Sequence, residues 1–192
     1  MLIVVTGLPG SGKTTLSTLI AERLRLPRVS RDVVRSGLFS TAGGWSRSPD
    51  RVPSVEESIE AFFAIVERHL YVGVSIVADY VLRRDRLADV AFFGSRARCI
   101  VVHTNASTAT ERYLQRLRGD PLFARAVASA ADGSGLEDAL EASRVGAEDL
   151  GPLLAHSSDT GLRTLAVDTT DGYSPEEEDI LHFILSEGPS AH

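Results

Sequence analysis

The sequence predicts an α/β fold in three layers, a five-stranded parallel sheet with helices on both of its faces. Two observations predict this fold class. Five short runs rich in Val and Ile recur along the chain, and segments of helical periodicity separate them, which is the alternation expected of a parallel sheet with crossover helices. The runs also lack alternating polar residues, as expected of strands that are covered on both faces.

The five apolar runs give the predicted strands. A chain of 192 residues with 43% hydrophobic positions can build one full core, so residues 1–192 are predicted to form a single domain. The strand ends are expected to be correct to within a few residues. The predicted strands are Leu2–Thr6, Pro27–Ser30, Val74–Asp79, Cys99–His103 and Thr164–Asp168.

Two helices carry clear start signals. Ser54 followed by Glu57 is a capping box, and Ser174 followed by Glu177 repeats it with Pro175 at the first helical position. Both helices are amphipathic and are therefore predicted to pack on the sheet. The apolar positions of the first are Val55, Ile59, Phe62, Phe63, Val66 and Leu70, and those of the second are Ile180, Leu181, Phe183 and Ile184.

A long connection at approximately residues 40–54 precedes the first capping box. It contains two glycines, two prolines and Trp45. Connections of this length inside a compact domain are usually either functional or disordered. The sequence therefore predicts a loop here that either contributes to a binding site or lacks a fixed conformation.

A phosphate-binding motif follows the first strand directly. The residues from Gly7 to Thr14 read GLPGSGKT, which fits GxxxxGK[ST] between a strand and a helical segment. In that context the glycines let backbone N–H groups surround phosphate oxygens at the positive end of the following helix. Lys13 is expected to bridge the β and γ phosphates, and the Thr14 hydroxyl to bind Mg²⁺. The residues predicted to bind the nucleotide are Gly7, Pro9, Gly10, Ser11, Gly12, Lys13, Thr14 and Thr15.

A charged segment follows the second predicted strand. It reads SRDVVR from Ser30 to Arg35, so Asp32 stands at the carboxyl end of a parallel strand, where α/β proteins bind ligands. Arg35 lies one helical turn later on the same face. The two side chains offer a base for an acceptor hydroxyl and a guanidinium for an anionic group. The alternative is an Asp that caps a helix beside a surface Arg.

Asp79 ends the third predicted strand, after the apolar run that begins at Ser75. A buried strand that ends in an acid is typical of the carboxylate that accompanies Mg²⁺ next to a phosphate-binding loop. Thr14 and Asp79 are therefore the predicted metal-site residues. The alternative is that Asp79 is a turn residue at the end of the strand.

The motifs GLPGSGKTT and SRDVVR together resemble the AAA-type P-loop kinases that include phage polynucleotide kinases, zeta toxins and chloramphenicol phosphotransferases. The resemblance extends more weakly over most of the chain. It implies a P-loop NTPase fold with strand order 2-3-1-4-5, ATP and Mg²⁺ as cofactors, and phosphoryl transfer to a hydroxyl. In phage polynucleotide kinases the corresponding Asp is the general base and the second Arg contacts the substrate, which implies these roles for Asp32 and Arg35.

The same resemblance implies a lid over the phosphates at approximately residues 112–135. Arginines on the helix before a glycine-marked stretch occupy the first part of that range. Lid arginines stabilise charge on the transferring phosphoryl group and on the leaving ADP. By position, Arg116 is the first candidate and Arg118 the second, and both are expected to contact the nucleotide. Arginines on an ordinary surface helix are the alternative.

Composition and charge restrict the partners. The net charge of −6 lacks the basic footprint of a protein that coats long nucleic acid. Cys99 is the single cysteine and lies in an apolar run, so no internal disulfide is possible and no chemistry is assigned to it. No apolar run approaches the roughly 18 residues of a membrane span, and no signal peptide is expected. We expect a cytoplasmic protein without a membrane partner.

The sequence therefore predicts an ATP-dependent kinase for a hydroxyl of a small molecule, such as a metabolite, nucleoside, sugar nucleotide or antibiotic, with Asp32 as general base. One alternative is a 5′-hydroxyl polynucleotide kinase for RNA or DNA ends. Another is a nucleotide-binding switch that transfers no phosphate. The guanine motif NKxD and the transporter signature LSGGQ are absent. The acceptor, the preference between ATP and GTP, and the oligomeric state are not encoded in any recognised motif.

Overall fold

A computed structural model describes residues 1–43, 53–82, 90, 93–124 and 162–186. Most of the loop predicted at 40–54 lies outside the described residues. The lid region predicted at 112–135 is described as far as residue 124. These ranges include the phosphate-binding motif and every predicted site residue.

The sheet is five-stranded, and all of its neighbouring strands pair in parallel. The strand order is β2-β3-β1-β4-β5, which confirms both the predicted fold class and the order 2-3-1-4-5. Each predicted strand is present, with ends displaced by at most two residues. The strands are β1 (Leu2–Gly7), β2 (Arg28–Ser30), β3 (Ile76–Asp79), β4 (Ala97–His103) and β5 (Arg163–Asp168).

Helices connect and cover these strands. In the described part of the chain they are α1 (Lys13–Leu24), α2 (Arg31–Thr41), α3 (Val55–Tyr71), α4 (Ala106–Gly119) and α5 (Glu177–Leu185), with a short 3₁₀ turn at Gly94–Arg96. Among these helices none is long and apolar enough to cross a membrane.

Two apolar cores lie on opposite faces of the sheet. Successive residues of β1 point to alternate faces, so Leu2 contributes to one core and Ile3 to the other. Phe62 of α3 packs in the first core, whereas Ile20 of α1 and Ile180 of α5 pack in the second. Helices therefore cover both faces of the sheet, as the absence of polar alternation in the strands predicts.

The two predicted helix starts have different outcomes. At α3 the capping box is present, because the Ser54 hydroxyl accepts from Glu57 N at 3.1 Å and the Glu57 carboxylate accepts from Ser54 N at 2.7 Å. The predicted start of α5 at Pro175 is wrong, since that helix begins at Glu177 without a side-chain cap. Both backbone polar groups of Ser174 bond to those of Asp168, at 2.9 and 3.0 Å, and this bridge holds Ser174 beside β5 instead.

The strand register places three chain segments together at the carboxyl edge of the sheet. Asp79 at the end of β3 is level with Val5 of β1 on one side and with Ser30 of β2 on the other. The phosphate-binding loop leaves β1 at this edge, and α2 leaves β2 there. Parallel sheets bind ligands at this edge, so the predicted site residues converge by topology.

Candidate active site

The phosphate-binding loop has the backbone conformation that its glycines allow. Gly10 and Gly12 have φ angles of +81° and +87°, which residues with a Cβ rarely adopt. A Cβ on Gly10 would also lie 1.9 Å from the carbonyl oxygen of Ala109 in α4. The loop therefore packs backbone to backbone against α4, and residue 10 has no room for a side chain.

Two polar side chains of this loop are buried without a full set of partners. Ser11 is 1% exposed, and its hydroxyl has no hydrogen-bond partner among the described residues. Lys13 is 5% exposed, and its Nζ donates to Leu8 O at 3.3 Å. Burial lowers the pKa of the Lys13 ammonium, and the carboxylates of Asp79 and Asp32 recover only part of that shift. An ammonium and a hydroxyl in this condition suit an anionic ligand.

Thr14 and Asp79 meet in the way that a metal site requires. The Thr14 hydroxyl donates to Asp79 Oδ2 at 2.9 Å, so its own lone pairs remain for a cation. Hydroxyl and carboxylate oxygens are the ligand types that Mg²⁺ prefers, with nucleotide phosphates completing its coordination. These two residues therefore fit Mg²⁺. Within the described residues no cluster of three His, Cys, Asp or Glu side chains offers another metal site.

Arg28 is a member of this cluster that the sequence interpretation missed. Its Nη2 donates to Asp79 Oδ2 at 2.8 Å and its Nε donates to Ser17 Oγ at 2.8 Å. Asp79 is 3% exposed, so the guanidinium supplies a counter-charge that a buried carboxylate needs. The only advance signal is that Arg28 and Ser30 share one face of a strand, and this says nothing about a partner fifty-one residues away.

Asp32 lies in the first turn of α2, between two guanidinium groups. Arg116 Nη1 is 3.1 Å from Asp32 Oδ2, and Arg31 Nη1 is 3.3 Å from Oδ1. Burial raises the pKa of the Asp32 carboxyl, but the charges of Lys13, Arg116 and Arg31 outweigh burial and hold the pKa below its ordinary value. The carboxylate is consequently ionised at neutral pH.

Arg35 and Tyr113 border the same carboxylate. Burial lowers the pKa of the Arg35 guanidinium, and the charge of Arg31 lowers it further. Tyr113 of α4 is 7% exposed, and the pKa of its hydroxyl is raised by burial and then by the charge of Asp32. Three guanidinium groups thus interact with the charge of one carboxylate.

The lid arginines divide between two faces of α4. Arg116 faces the site, whereas Arg118 lies on the exposed face of the helix. The structure therefore joins Arg116, and not Arg118, to the other predicted site residues. The difference follows from helix geometry, because residues two positions apart in an α-helix, such as Arg116 and Arg118, lie about 200° apart around its axis.

Arg112, one turn before Arg116, is a second site residue that the sequence interpretation missed. Its Nη2 and Nη1 donate to Thr169 O at 3.1 Å and to Thr169 Oγ1 at 3.3 Å. The spacing of four residues between the two arginines was the available signal. Arg112 lines a cavity of about 330 Å³ beside the phosphate-binding loop, together with Gly12, Thr15, Thr169, Gly172 and Tyr173.

Comparisons with known proteins show the family of this chain. The model of the AAA domain family matches residues 2–139. A protein of Thermococcus kodakarensis named "putative adenylate kinase" is 31% identical over 186 residues, which cover 96% of this chain and 85% of that protein.

Solved structures extend the comparison to the fold. The crystal structure of a "putative kinase" from Chloroflexus aurantiacus has a TM-score of 0.66 and 27% sequence identity, and the match covers 98% of each chain. A gluconokinase from Sinorhizobium meliloti has a TM-score of 0.56 and 19% identity over 95% of this chain and 90% of its own. The second likeness is one of fold alone.

Proposed function

This chain belongs to the AAA domain family and is a P-loop kinase, and from that premise we propose that it transfers the γ-phosphate of ATP to a hydroxyl group of a small molecule. The observation that carries the proposal is the position of Asp32. An ionised carboxylate lies beside the arginine of the lid helix and within the field of the phosphate-loop lysine. A protein that only binds nucleotide has no need of a base at that place.

The donor nucleotide would bind along the phosphate loop. The backbone N–H groups at the start of α1 and the Lys13 ammonium would hold the β and γ phosphates. The nucleobase would enter the cavity lined by Arg112 and Tyr173. Thr14 and Asp79 would hold Mg²⁺, which when bound neutralises charge on the phosphate oxygens. Lys13 then needs no rearrangement, because it is already buried and points toward the loop.

Asp32 would act as the general base. As the acceptor oxygen forms its bond to the γ-phosphorus, the bond from that phosphorus to the β,γ-bridging oxygen breaks and ADP leaves. The proton of the acceptor hydroxyl passes to Asp32. Arg116 Nη1 donates to Asp32 Oδ2, so the guanidinium would exchange this carboxylate oxygen for an oxygen of the transferring phosphoryl group as the reaction begins.

Arg35 would hold an anionic group of the acceptor. It stands one turn after Asp32 on the same helix face, and its own pKa is lowered by burial and by the adjacent Arg31. Such a guanidinium would be stabilised by a bound carboxylate or phosphate, whose negative charge would offset the repulsion between Arg35 and Arg31. The acidic net charge of the whole chain favours a small acceptor over a long nucleic acid.

A nucleoside monophosphate is a second candidate acceptor. Two matched relatives are named "putative adenylate kinase", and the three arginines around Asp32 would suit the phosphate of such a substrate. Transfer to a phosphate oxygen removes no proton from a hydroxyl at neutral pH. Neutralising Asp32 would therefore have a different effect on the two reactions.

The test is label transfer from γ-labelled ATP with Mg²⁺ to separate pools of acceptors. The pools are sugars and sugar acids, nucleosides, nucleoside monophosphates, antibiotics, and a 5′-hydroxyl oligonucleotide. Removing a general base typically costs about 10² to 10⁴ in rate, so D32N should lose transfer to a hydroxyl by that factor while binding a non-hydrolysable ATP analogue as before.

The pools separate the outcomes. Label on a small hydroxyl compound that depends on Asp32 supports the proposal. Label on a monophosphate that survives in D32N selects the second candidate. Label on the oligonucleotide alone, or on no pool at all, overturns both.

A further inference from the structure

The guanidinium of Arg116 lies over an aromatic ring. Its Cζ is 3.9 Å from the centroid of Phe123, which is a close cation–π distance. We propose that Phe123 is a positioning residue, whose ring holds Arg116 in the orientation that it needs at the transferring phosphoryl group. The inference rests on the proposed function in one respect, the role of Arg116 in phosphoryl transfer.

A short capped turn places Phe123 against Arg116. Helix α4 ends at Gly119, and the Asp120 carboxylate accepts from Phe123 N at 2.9 Å while Ala124 N donates to Asp120 O at 2.9 Å. Asp120 thus caps a second helical turn, with Pro121 in the first position that proline favours. This turn directly follows α4, and Phe123 contacts the side of that helix on which Arg116 lies.

Phe123 is buried, but it belongs to neither of the two main cores. It is 6% exposed and packs in a separate cluster with Tyr113 and Leu117. The Tyr113 and Phe123 rings meet edge to face with their centroids 6.4 Å apart. Among the described residues, the ring also meets a polar group, the Arg116 guanidinium.

Stacking of this kind restricts an arginine without consuming its hydrogen bonds. An Arg side chain carries roughly 2 kcal/mol of rotamer entropy, and a fixed ring removes part of that freedom before any ligand binds. The N–H donors of a guanidinium lie in its own plane, so a ring over one face leaves them available at the edge of the group. One of them already bonds to Asp32, and an in-plane exchange from carboxylate to phosphoryl oxygen keeps the stack.

The test uses an acceptor-free mimic of the transfer step. Calorimetric titration compares the affinity for Mg·ADP with and without aluminium fluoride, which imitates the transferring phosphoryl group. In F123L the enhancement by aluminium fluoride should fall by about threefold to thirtyfold, the range of one desolvated cation–π contact, while the affinity for Mg·ADP alone stays within twofold. F123Y, which keeps the ring, should restore the enhancement.

Two controls separate positioning from simple loss of structure. L117A removes apolar volume from the same cluster but keeps the Phe123 ring. It should therefore lower the melting temperature and leave the enhancement by aluminium fluoride intact. In the R116Q background, F123L should cause no further loss. A second readout is phenylglyoxal labelling followed by mass spectrometry, in which F123L should raise the rate at Arg116 severalfold relative to Arg118.

The opposite results overturn the inference. It fails if F123Y loses as much enhancement as F123L, if F123L costs the same factor in the R116Q background, or if wild type shows no enhancement. None of these measurements involves an acceptor. A failure to find a phosphorylated substrate would therefore count against the proposed function and leave the result on Phe123 standing.

Discussion

Asp32 of α2 and Arg116 of α4 are joined by an ion pair, with 3.1 Å between Oδ2 and Nη1 across 84 residues of sequence. The proposed base and the proposed lid arginine are thus paired directly with each other. Each is about two-thirds or more covered. Each charged member of this cluster is expected to affect binding, transfer or stability in a measurable way.

Replacement of Arg116 by Lys should reduce phosphoryl transfer by about 10²-fold or more. Lysine keeps the charge but lacks the planar fork that can stack on a ring and donate to two oxygens. In related phosphoryl-transfer enzymes, an arginine that stabilises the transition state raises the turnover rate by about 10³ to 10⁵. Steady-state rates with the acceptor found by label transfer measure the effect. R118K is the matched control, and an equal loss in that variant would contradict the assignment.

The ion pairs of Asp32 should stabilise the fold at neutral pH and not in acid. Because the pKa of folded Asp32 is lowered, its contribution is present above the ordinary value of about 3.9 and disappears as the pH falls through the lower folded value. D32N should be about 1 to 3 kcal/mol less stable at pH 7. Denaturant melts between pH 7 and pH 3 should show this difference closing at the acid end, and a difference independent of pH would refute it.

The buried ammonium of Lys13 should destabilise the fold of the protein when no nucleotide is bound. Burial holds the pKa of the Lys13 ammonium below its ordinary value, so the folded state is destabilised at every pH below that ordinary value of about 10.4, neutral pH included. K13M should therefore melt at or up to about 4 °C above wild type without nucleotide. Saturating Mg·ATP, worth about 2.7 kcal/mol at a hundredfold excess over Kd, should stabilise wild type and leave K13M unchanged. A K13M protein that melts well below wild type would reject the prediction.

Removal of the Arg112 side chain should weaken binding of the nucleobase of ATP without affecting binding of its phosphates. The guanidinium is bonded to Thr169 and lines the cavity beside Gly12. R112A should raise the Kd for ATP by about tenfold, which corresponds to about 1.4 kcal/mol, and should leave the Kd for inorganic tripolyphosphate near its wild-type value. Calorimetry on both ligands decides the matter, since a parallel loss would place Arg112 at the phosphates.

Two glycine-to-alanine variants form a matched pair. A Cβ at Gly10 would meet the Ala109 carbonyl at 1.9 Å and would also occupy a positive φ, so G10A should destabilise the fold by several kcal/mol or abolish nucleotide binding. A Cβ at Gly37 inside α2 meets nothing within 4 Å, and G37A should stabilise that helix by about 0.5 to 1 kcal/mol. Thermal melts test both, and a tolerated G10A would contradict the close packing.

The sheet could be predicted from the sequence because the signal for each strand lies within a few consecutive residues. Each strand is a continuous apolar run, and the phosphate-loop motif fixes where β1 ends and α1 begins. The start of α5 was wrong because Ser174 is engaged by Asp168, a contact that no local pattern reveals. A capping signal competes with every other bond that the same backbone group can form.

The site was predictable only where a motif prescribes a residue. Lys13, Thr14, Asp32 and Asp79 follow from spacing and strand position, whereas Arg28 bonds to Asp79 through strand pairing that the sequence does not encode. Phe123 contacts Arg116 from the turn that Asp120 caps, after the end of α4. Such contacts depend on tertiary geometry, and single-sequence patterns carry little of it.

Helix α4 carries Arg112 and Arg116 one turn apart on the same side, which places about 6 Å of rigid backbone between them. One residue lines the cavity and the other pairs with Asp32. Because a helix neither stretches nor compresses appreciably, a ligand that moves α4 as a body moves the backbone positions of both arginines by the same amount. Under the proposed function, a movement of α4 would therefore change the donor cavity and the position of the lid arginine together.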